Sequence, residues 1–192
     1  MKKAVFAAVA VALSVAAGEA KAQFSIPLSV EGRLDYAVPT GDFDDLADEG
    51  MSWGAGVALG ITPGIGLYGT YSQTTFEVAD FEDVDLEDNG FSVGLTGALP
   101  SVSGLSPWLG AGLVKHELAF DGDDGDEEAN EGADEKLGFE VGGGLAIPVG
   151  ANIRLTPAVG YRQYGVDVGA LVGTSEFDVS YFTAGVGVNF SF

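Results

Sequence analysis

The stretch Asp178–Phe192, which reads DVSYFTAGVGVNFSF, decides the fold class. From Phe182 onward every second residue is apolar, and the residues between them are small or polar. Such alternation is typical of a β-strand with one apolar face, because successive side chains of a strand point to opposite sides. Chain ends usually fray in water. An apolar stripe that runs to the last residue therefore favours a strand whose apolar face lies against lipid.

The same alternation recurs along the chain and predicts eight strands in all. Their approximate bounds are 26–38, 51–61, 65–77, 91–99, 108–120, 136–147, 153–162 and 178–192. Long and short connections alternate between them, and in a membrane barrel one rim carries short turns while the other carries long loops. An open sheet edge cannot lie in lipid. The pattern therefore predicts an all-β fold, an eight-stranded antiparallel up-and-down transmembrane β-barrel. Both chain ends are expected at the rim with the short turns.

The amino-terminal segment has the three parts of a secretory signal peptide. Lys2–Lys3 precedes an uncharged, Ala/Val-rich run from Ala4 to Ala17, and Ala20–Ala22 fits the cleavage pattern. The run is shorter than the ~20 residues of a membrane-spanning helix. We expect residues 1–22 to form a cleavable signal peptide and residues 23–192 to form one barrel domain.

Charge is distributed unevenly along the chain. The formal net charge is −21, from 29 acidic and 8 basic residues, and most of the acidic residues fall in the long connections. Nucleic acid is therefore not an expected partner, because a polyanion would be repelled. The chain has no cysteine and hence no disulfide.

The charges within the strands predict a salt-bridged lumen. Every basic residue after the signal peptide falls on a strand face opposite the apolar stripe, together with four carboxylates. Counting back from the turn at 148–151 places Glu140 near Arg162 and Lys136 near Glu117. The complete predicted set is Glu31, Arg33, Asp35, Lys115, Glu117, Lys136, Glu140, Arg154 and Arg162.

The fifth strand is ambiguous, because its first half lacks a clear alternation. Lys115 and Glu117 favour an inward face for Leu109, Ala111 and Leu113. A charge on the lipid face at mid-bilayer would cost roughly 2–4 kcal/mol. His116 is the one candidate for that face.

The eight-strand pattern behind a signal peptide, ending in VGVNFSF, resembles the small outer-membrane barrels of Gram-negative bacteria. These are of the OmpA transmembrane-domain, OmpX and opacity-protein type, grouped as the outer membrane protein beta-barrel domain family. The resemblance covers residues 23–192 and implies the bacterial outer membrane, its lipid and the barrel assembly machinery as surroundings. In that family the alternating apolar residues before a terminal aromatic form the assembly signal. The matching positions here are Phe182, Ala184, Val186, Val188, Phe190 and Phe192.

The resemblance implies a monomer with a structural or surface-interaction role and an extracellular partner that the sequence does not name. One alternative is a narrow porin or an OmpW-like channel for small, apolar solutes. A more remote alternative is an enzyme that modifies lipid A, but His116 is the only histidine and no nucleophile can be placed beside it. A soluble, lipocalin-like barrel would hold its apolar face inside, whereas here the basic residues share the face of small residues.

The third acidic connection is the candidate for a weak Ca²⁺ or Mg²⁺ site, since these ions take oxygen ligands. Its residues are Asp121, Asp123, Asp124, Asp126, Glu127 and Glu128. Their spacing lacks the Gly at position six and the Glu at position twelve of a calcium loop. The pattern therefore favours a solvated, self-repelling loop, and no other cofactor is expected.

Overall fold

The computed structural model describes residues 27–78, 85–121, 134–168 and 175–192, and most of them lie in β-strands. The strands are β1 (Leu28–Pro39), β2 (Ala47–Thr62), β3 (Ile65–Val78), β4 (Asp85–Ala98), β5 (Ser106–Asp121), β6 (Asp134–Glu135), β7 (Leu137–Pro148), β8 (Ile153–Val168) and β9 (Ser175–Ser191). A short 3₁₀ turn, Gly41–Phe43, lies between β1 and β2. No helix in these described ranges is long and apolar enough to cross a membrane.

The strands pair antiparallel with their neighbours and close into a barrel. Only Lys136 separates β6 from β7, and both pair with β8, so together they serve as one barrel strand. The first and last strands form the seam, with Val30 opposite Phe190 and Tyr36 opposite Ala184. The closed, eight-stranded, antiparallel up-and-down barrel confirms the predicted fold class. The predicted signal peptide, residues 1–22, lies outside the described residues.

The strands extend further than their apolar stripes predicted. Residues 85–89 belong to β4, although the sequence placed them in an acidic connection. Leu86 and Asp88 point inward and are fully buried, whereas Asp85 is exposed. Backbone pairing needs no apolar outer face, so the ladder continues after the stripe ends.

The two faces of the sheet differ as the alternation predicted. Outward positions along the strands are large and apolar, and their side chains are about half exposed. Examples are Leu34, Val57, Leu67, Phe91, Val93, Leu95, Val141, Val159, Val186 and Val188. Inward positions are mainly glycine, serine, threonine or charged residues. A ligand-binding soluble barrel has the opposite arrangement.

The rims differ as well. One rim carries the tight turn at 63–64, the turn at 99–105 and the turn at 149–152, together with both described chain ends. Gly64 and Gly104 adopt φ values of 93° and 82°, which favour glycine because a Cβ would be strained there. The other rim carries the connection 40–46 and the strand ends at Val78, Asp85, Asp121 and Val168.

The lumen has three layers. Next to the rim with the longer connections lies an apolar layer, which we call the upper cluster. Its buried members are Ala37, Phe43, Ala47, Phe76, Val78, Leu86, Val114, Tyr164, Val166, Val179 and Tyr181. A polar layer follows, and below it a cavity of about 960 Å³ extends to the rim with the short turns.

Candidate functional site

The polar layer, which we call the central network, is built around an ion pair between two neighbouring strands. Glu140 on β7 lies opposite Arg162 on β8 in the sheet register. Arg162 Nη2 donates to Glu140 Oε2 at 2.9 Å, and both side chains are largely buried. The short turn between the two strands sets this register, which is why the pair could be counted out from the sequence.

Side chains from β3 and β4 also bind Glu140. Tyr68 on β3 donates its hydroxyl to Oε1 at 2.7 Å, and Ser92 on β4 donates to Oε2 at 3.0 Å. The Tyr68 hydroxyl passes over Gly94 and Gly112, where a Cβ atom would collide with it. The glycines of the inner wall therefore make room for a tyrosine that crosses the lumen.

Arg162 connects Glu140 to a second carboxylate through a tyrosine. Its Nη1 donates to the Tyr181 hydroxyl at 2.8 Å and to Ser72 Oγ at 3.1 Å. The Tyr181 hydroxyl in turn donates to Asp88 Oδ2 at 2.5 Å. The guanidinium also lies over the Tyr181 ring, 5.6 Å from its centre, a distance at which cation–π attraction operates.

Asp88 completes the network with the only histidine. His116 Nδ1 lies 2.7 Å from Asp88 Oδ1, and neither side chain has any exposed surface. Arg162 Nη1 lies 3.4 Å from the same ring nitrogen, so the histidine joins both Asp88 and Arg162. Neither residue was expected here, since the sequence pattern predicted Asp88 in a connection and His116 on the lipid face. Gly90 lies on the same strand face as Asp88, and Gly112 on the same face as His116. Because small residues mark the inward face, these glycines could have predicted that both side chains point inward.

The phase of β5 differs from the expectation. Leu109 and Leu113 point outward, with 58% and 50% of their surface exposed. Lys115 and Glu117 are exposed on the same outer face, and Lys115 lies opposite Phe91. A long side chain near a rim can carry its charge out to water along an apolar stem. In β5 the positions of the glycines therefore predict the inward face better than the positions of the charges do.

A second ion-pair cluster lies on β1, and it lines the same cavity as Glu140 and Arg162. Arg33 donates to Asp35 through Nε at 2.7 Å and Nη2 at 2.6 Å, and to Glu31 through Nη1 at 3.2 Å. These residues alternate along one strand, so all three point inward. On the neighbouring strand β9, a Cβ at Gly185 would collide with the backbone of Leu34 and Asp35, whereas one at Gly187 would meet the side chains of Thr156 and Glu31. The close approach of the backbones therefore requires glycine at 185.

The remaining predicted site residues are spread around the barrel. Arg154 lines the open end of the cavity and donates to Ser191 Oγ at 2.9 Å. Lys136 is partly buried between β6 and β7. The assembly-signal positions Phe182, Val186, Val188, Phe190 and Phe192 are exposed on the outer face, and their role stays a prediction.

The predicted metal site falls mostly outside the described residues. Asp121 ends β5, while Asp123, Asp124, Asp126, Glu127 and Glu128 lie in the range that the structure does not describe. Within the described ranges no group of three or more histidine or acidic side chains is placed to hold a metal ion.

Comparison with known proteins places this architecture in a family. The model of the outer membrane protein beta-barrel domain matches residues 4–190, while a search of curated proteins finds no match. The crystal structure of Neisserial surface protein A is similar, with 17% identity, a TM-score of 0.67, and coverage of 86% of this chain and 97% of that chain. OprG from Pseudomonas aeruginosa shows 12% identity, a TM-score of 0.57, and coverage of 88% and 96%. Ail of Yersinia pestis shows 15% identity, a TM-score of 0.55, and coverage of 88% and 100%.

At these identities the structures share the fold alone. The family model spans almost the whole sequence, and the barrel has the apolar exterior that an outer membrane requires. This chain belongs to the outer membrane protein β-barrel domain family.

Proposed function

We propose that this outer-membrane barrel has a structural or surface-interaction role and that its lumen is closed to solutes. The observation that carries the proposal is the central network, in which side chains from β3, β4, β7, β8 and β9 meet around Glu140 and Arg162. An eight-stranded barrel has an interior that side chains can fill. The hydrogen bond from Arg162 on β8 to Ser72 on β3 joins strands on opposite sides of the barrel.

The upper cluster adds a second barrier of a different kind. Its side chains are apolar apart from the hydroxyls of its tyrosines, so a passing ion would lose its hydration without gaining ligands. Such a transfer into apolar surroundings is costly. An ion that entered the lower cavity would therefore meet both the network and the cluster before it reached the other rim.

The proposed orientation follows from the connections. Short turns face the periplasm in outer-membrane barrels, and long loops face outward. The chain ends and the three short turns share one rim, which we assign to the periplasm. The acidic connections then face the medium, where a surface role would be exercised. A surface role is also what the name of the Neisserial protein describes for that protein.

Planar-bilayer recording of the purified protein tests the closed lumen. We expect no stable single-channel steps at neutral pH, while a porin in the same bilayers gives steps as the positive control. Heat-modifiable gel migration shows that the inserted protein is folded. Stable steps from the folded protein would overturn the closed lumen.

A narrow channel is the second candidate, and the cavity of about 960 Å³ favours it. This cavity already opens one side of the lumen, so only the network and the upper cluster would have to move. The same recording decides between the two candidates.

We further propose that the barrel has no catalytic role. His116 is the only histidine of the chain, and it is fully buried against Asp88. A substrate has no access to it in this arrangement. Incubation of the protein with lipid A, followed by mass spectrometry, is expected to return the lipid unchanged, and a modified product would contradict this.

The remaining proposals concern partners. We expect a monomer that contacts outer-membrane lipid and is inserted by the barrel assembly machinery.

Weak binding of Ca²⁺ or Mg²⁺ at the connection beginning at Asp121 is testable by calorimetry. The control is a variant with the carboxylates of 121–128 replaced by amides, and equal heats from both chains would remove the site.

A further inference from the structure

The connection between β1 and β2 does not stay outside the barrel. Its 3₁₀ turn, Gly41–Phe43, carries Phe43 into the mouth of the lumen, where this side chain has no exposed surface. Its neighbours Asp42, Asp44 and Asp45 are exposed. One aromatic side chain of an acidic connection is therefore fully buried while the charges around it face water.

Phe43 is held in an aromatic socket made by the strands. Its ring packs edge-on against Phe76 on β3, with centroids 5.1 Å apart, and against Phe177 on β9 at 6.3 Å. Phe76 in turn packs against Tyr181 at 5.2 Å. Since Tyr181 also binds Arg162 and Asp88, the socket rests directly on the central network.

A local strap fixes the connection to the last strand. Thr40 N donates to Ser180 O at 2.9 Å, Ser180 Oγ donates to Thr40 O at 2.8 Å, and the two side-chain hydroxyls lie 3.1 Å apart. The next residue, Gly41, has a φ of 64°, a conformation that glycine adopts without strain. The strap is thus followed immediately by a residue that can act as a hinge.

We infer that residues 40–46 are a lid on the extracellular mouth, with Phe43 as its stopper and Thr40–Gly41 as its hinge. Among the residues that the structure describes, the other backbone hydrogen bonds of the segment are internal, from Asp44 N to Gly41 O and from Leu46 N to Phe43 O. The lid can therefore lift without breaking the ladder of any strand. Regions held by few bonds open at a lower free-energy cost than the sheet around them.

This inference rests on the proposed closed lumen, whose regulation it describes. Its test uses the absence of cysteine from the chain. Val179, which is fully buried in the upper cluster, is changed to cysteine, and its reaction with a charged, membrane-impermeant thiol reagent is timed. Adding Phe43→Ala is expected to speed labelling at least about tenfold, because the aromatic ring that closes the mouth is gone.

Two matched changes separate a lid from ordinary core packing. Asp42→Ala alters an exposed residue of the same turn and is expected to leave the labelling rate unchanged. Leu86→Ala removes a fully buried side chain of β4 and is expected to raise the rate much less than Phe43→Ala does. If Leu86→Ala and Phe43→Ala raise it equally, with folded migration retained on gels, the lid is refuted.

A second measurement separates the strap from the hinge. The double variant Thr40→Cys/Ser180→Cys, once oxidised, ties residue 40 covalently to the last strand but leaves Gly41 free to turn, so amide hydrogen exchange across residues 43–47 is expected to match that of the reduced form. Exchange that slows strongly on verified crosslinking would place the opening in the strap and overturn a lid that turns at Gly41. Neither measurement depends on conductance. A conducting wild-type barrel would refute the proposal of a closed lumen, whereas the lid is tested by the labelling and exchange rates.

Discussion

Replacing Arg162 by methionine tests the central network most directly. The change keeps much of the side-chain volume but removes the partner of Glu140, which is then left with Tyr68 and Ser92. It also removes the donor that connects Tyr181 to the network. Removing one partner of a buried ion pair typically costs about 3–5 kcal/mol, because the other charge stays buried without compensation. We expect a loss of that size in the free energy of unfolding.

Arg154→Met is the matched control. Arg154 lies at the exposed end of the cavity, and within the described part of the chain its side chain makes one hydrogen bond, to Ser191. Exposed polar pairs contribute about 0–1 kcal/mol. Both variants lose the same formal charge, so a difference between them reports the surroundings of the side chain rather than net charge.

Urea unfolding from lipid vesicles, followed by tryptophan fluorescence, measures both losses. The double variant Glu140→Met/Arg162→Met is expected to cost less than the sum of its single changes, with a coupling of about 0.5–3 kcal/mol. A loss for Arg162→Met no larger than that for Arg154→Met would refute a stabilising central network. Single changes at Glu140 and Arg162 that add without coupling would refute it as well.

Three further predictions concern other parts of the barrel. Gly112→Ala is expected to lower the free energy of unfolding by about 1–3 kcal/mol in the same assay, because its Cβ would collide with the Tyr68 hydroxyl. Gly32→Ala is the control, since a Cβ there has open space, and it is expected to be tolerated. Equal losses from the two changes would contradict this. Val93→Arg places a charge on the apolar outer face and is expected to cost roughly 2–4 kcal/mol in vesicles; a cost near zero would argue against a lipid-facing position. Deleting Phe192 is expected to reduce the folded, heat-modifiable fraction in outer membranes while purified protein still refolds in detergent; unchanged membrane levels would discount the proposed assembly signal.

Much of the architecture was predictable because a lipid-facing barrel imposes a strict two-residue repeat. The outer stripe of β9 and its seam with β1 follow from that repeat alone. The Glu140–Arg162 pair was also predictable, because a short turn sets the register between β7 and β8. Such features depend on near neighbours in sequence or on one repeated pattern.

The rest of the network depends on contacts that no local pattern encodes. Tyr68 reaches Glu140 across the lumen. Asp88 contacts His116 between β4, which begins earlier than predicted, and β5, whose inward face the charges predicted wrongly. In β5, Lys115 suggested the wrong inward face because a long charged side chain near a rim can leave the apolar band. Burial of Phe43 was equally hidden, since its turn lies in an acidic segment that reads as an external loop.

The seam between β1 and β9 makes the barrel an indivisible cooperative unit. Every barrel strand is hydrogen-bonded on both sides, so no hairpin can detach from one end as a terminal repeat can detach from a solenoid. Removing any strand would create two unpaired edges, and each unsatisfied backbone group in lipid costs several kcal/mol. Loss of a single strand in the membrane is therefore strongly unfavourable, and the opening proposed for residues 40–46 lies outside the ladder.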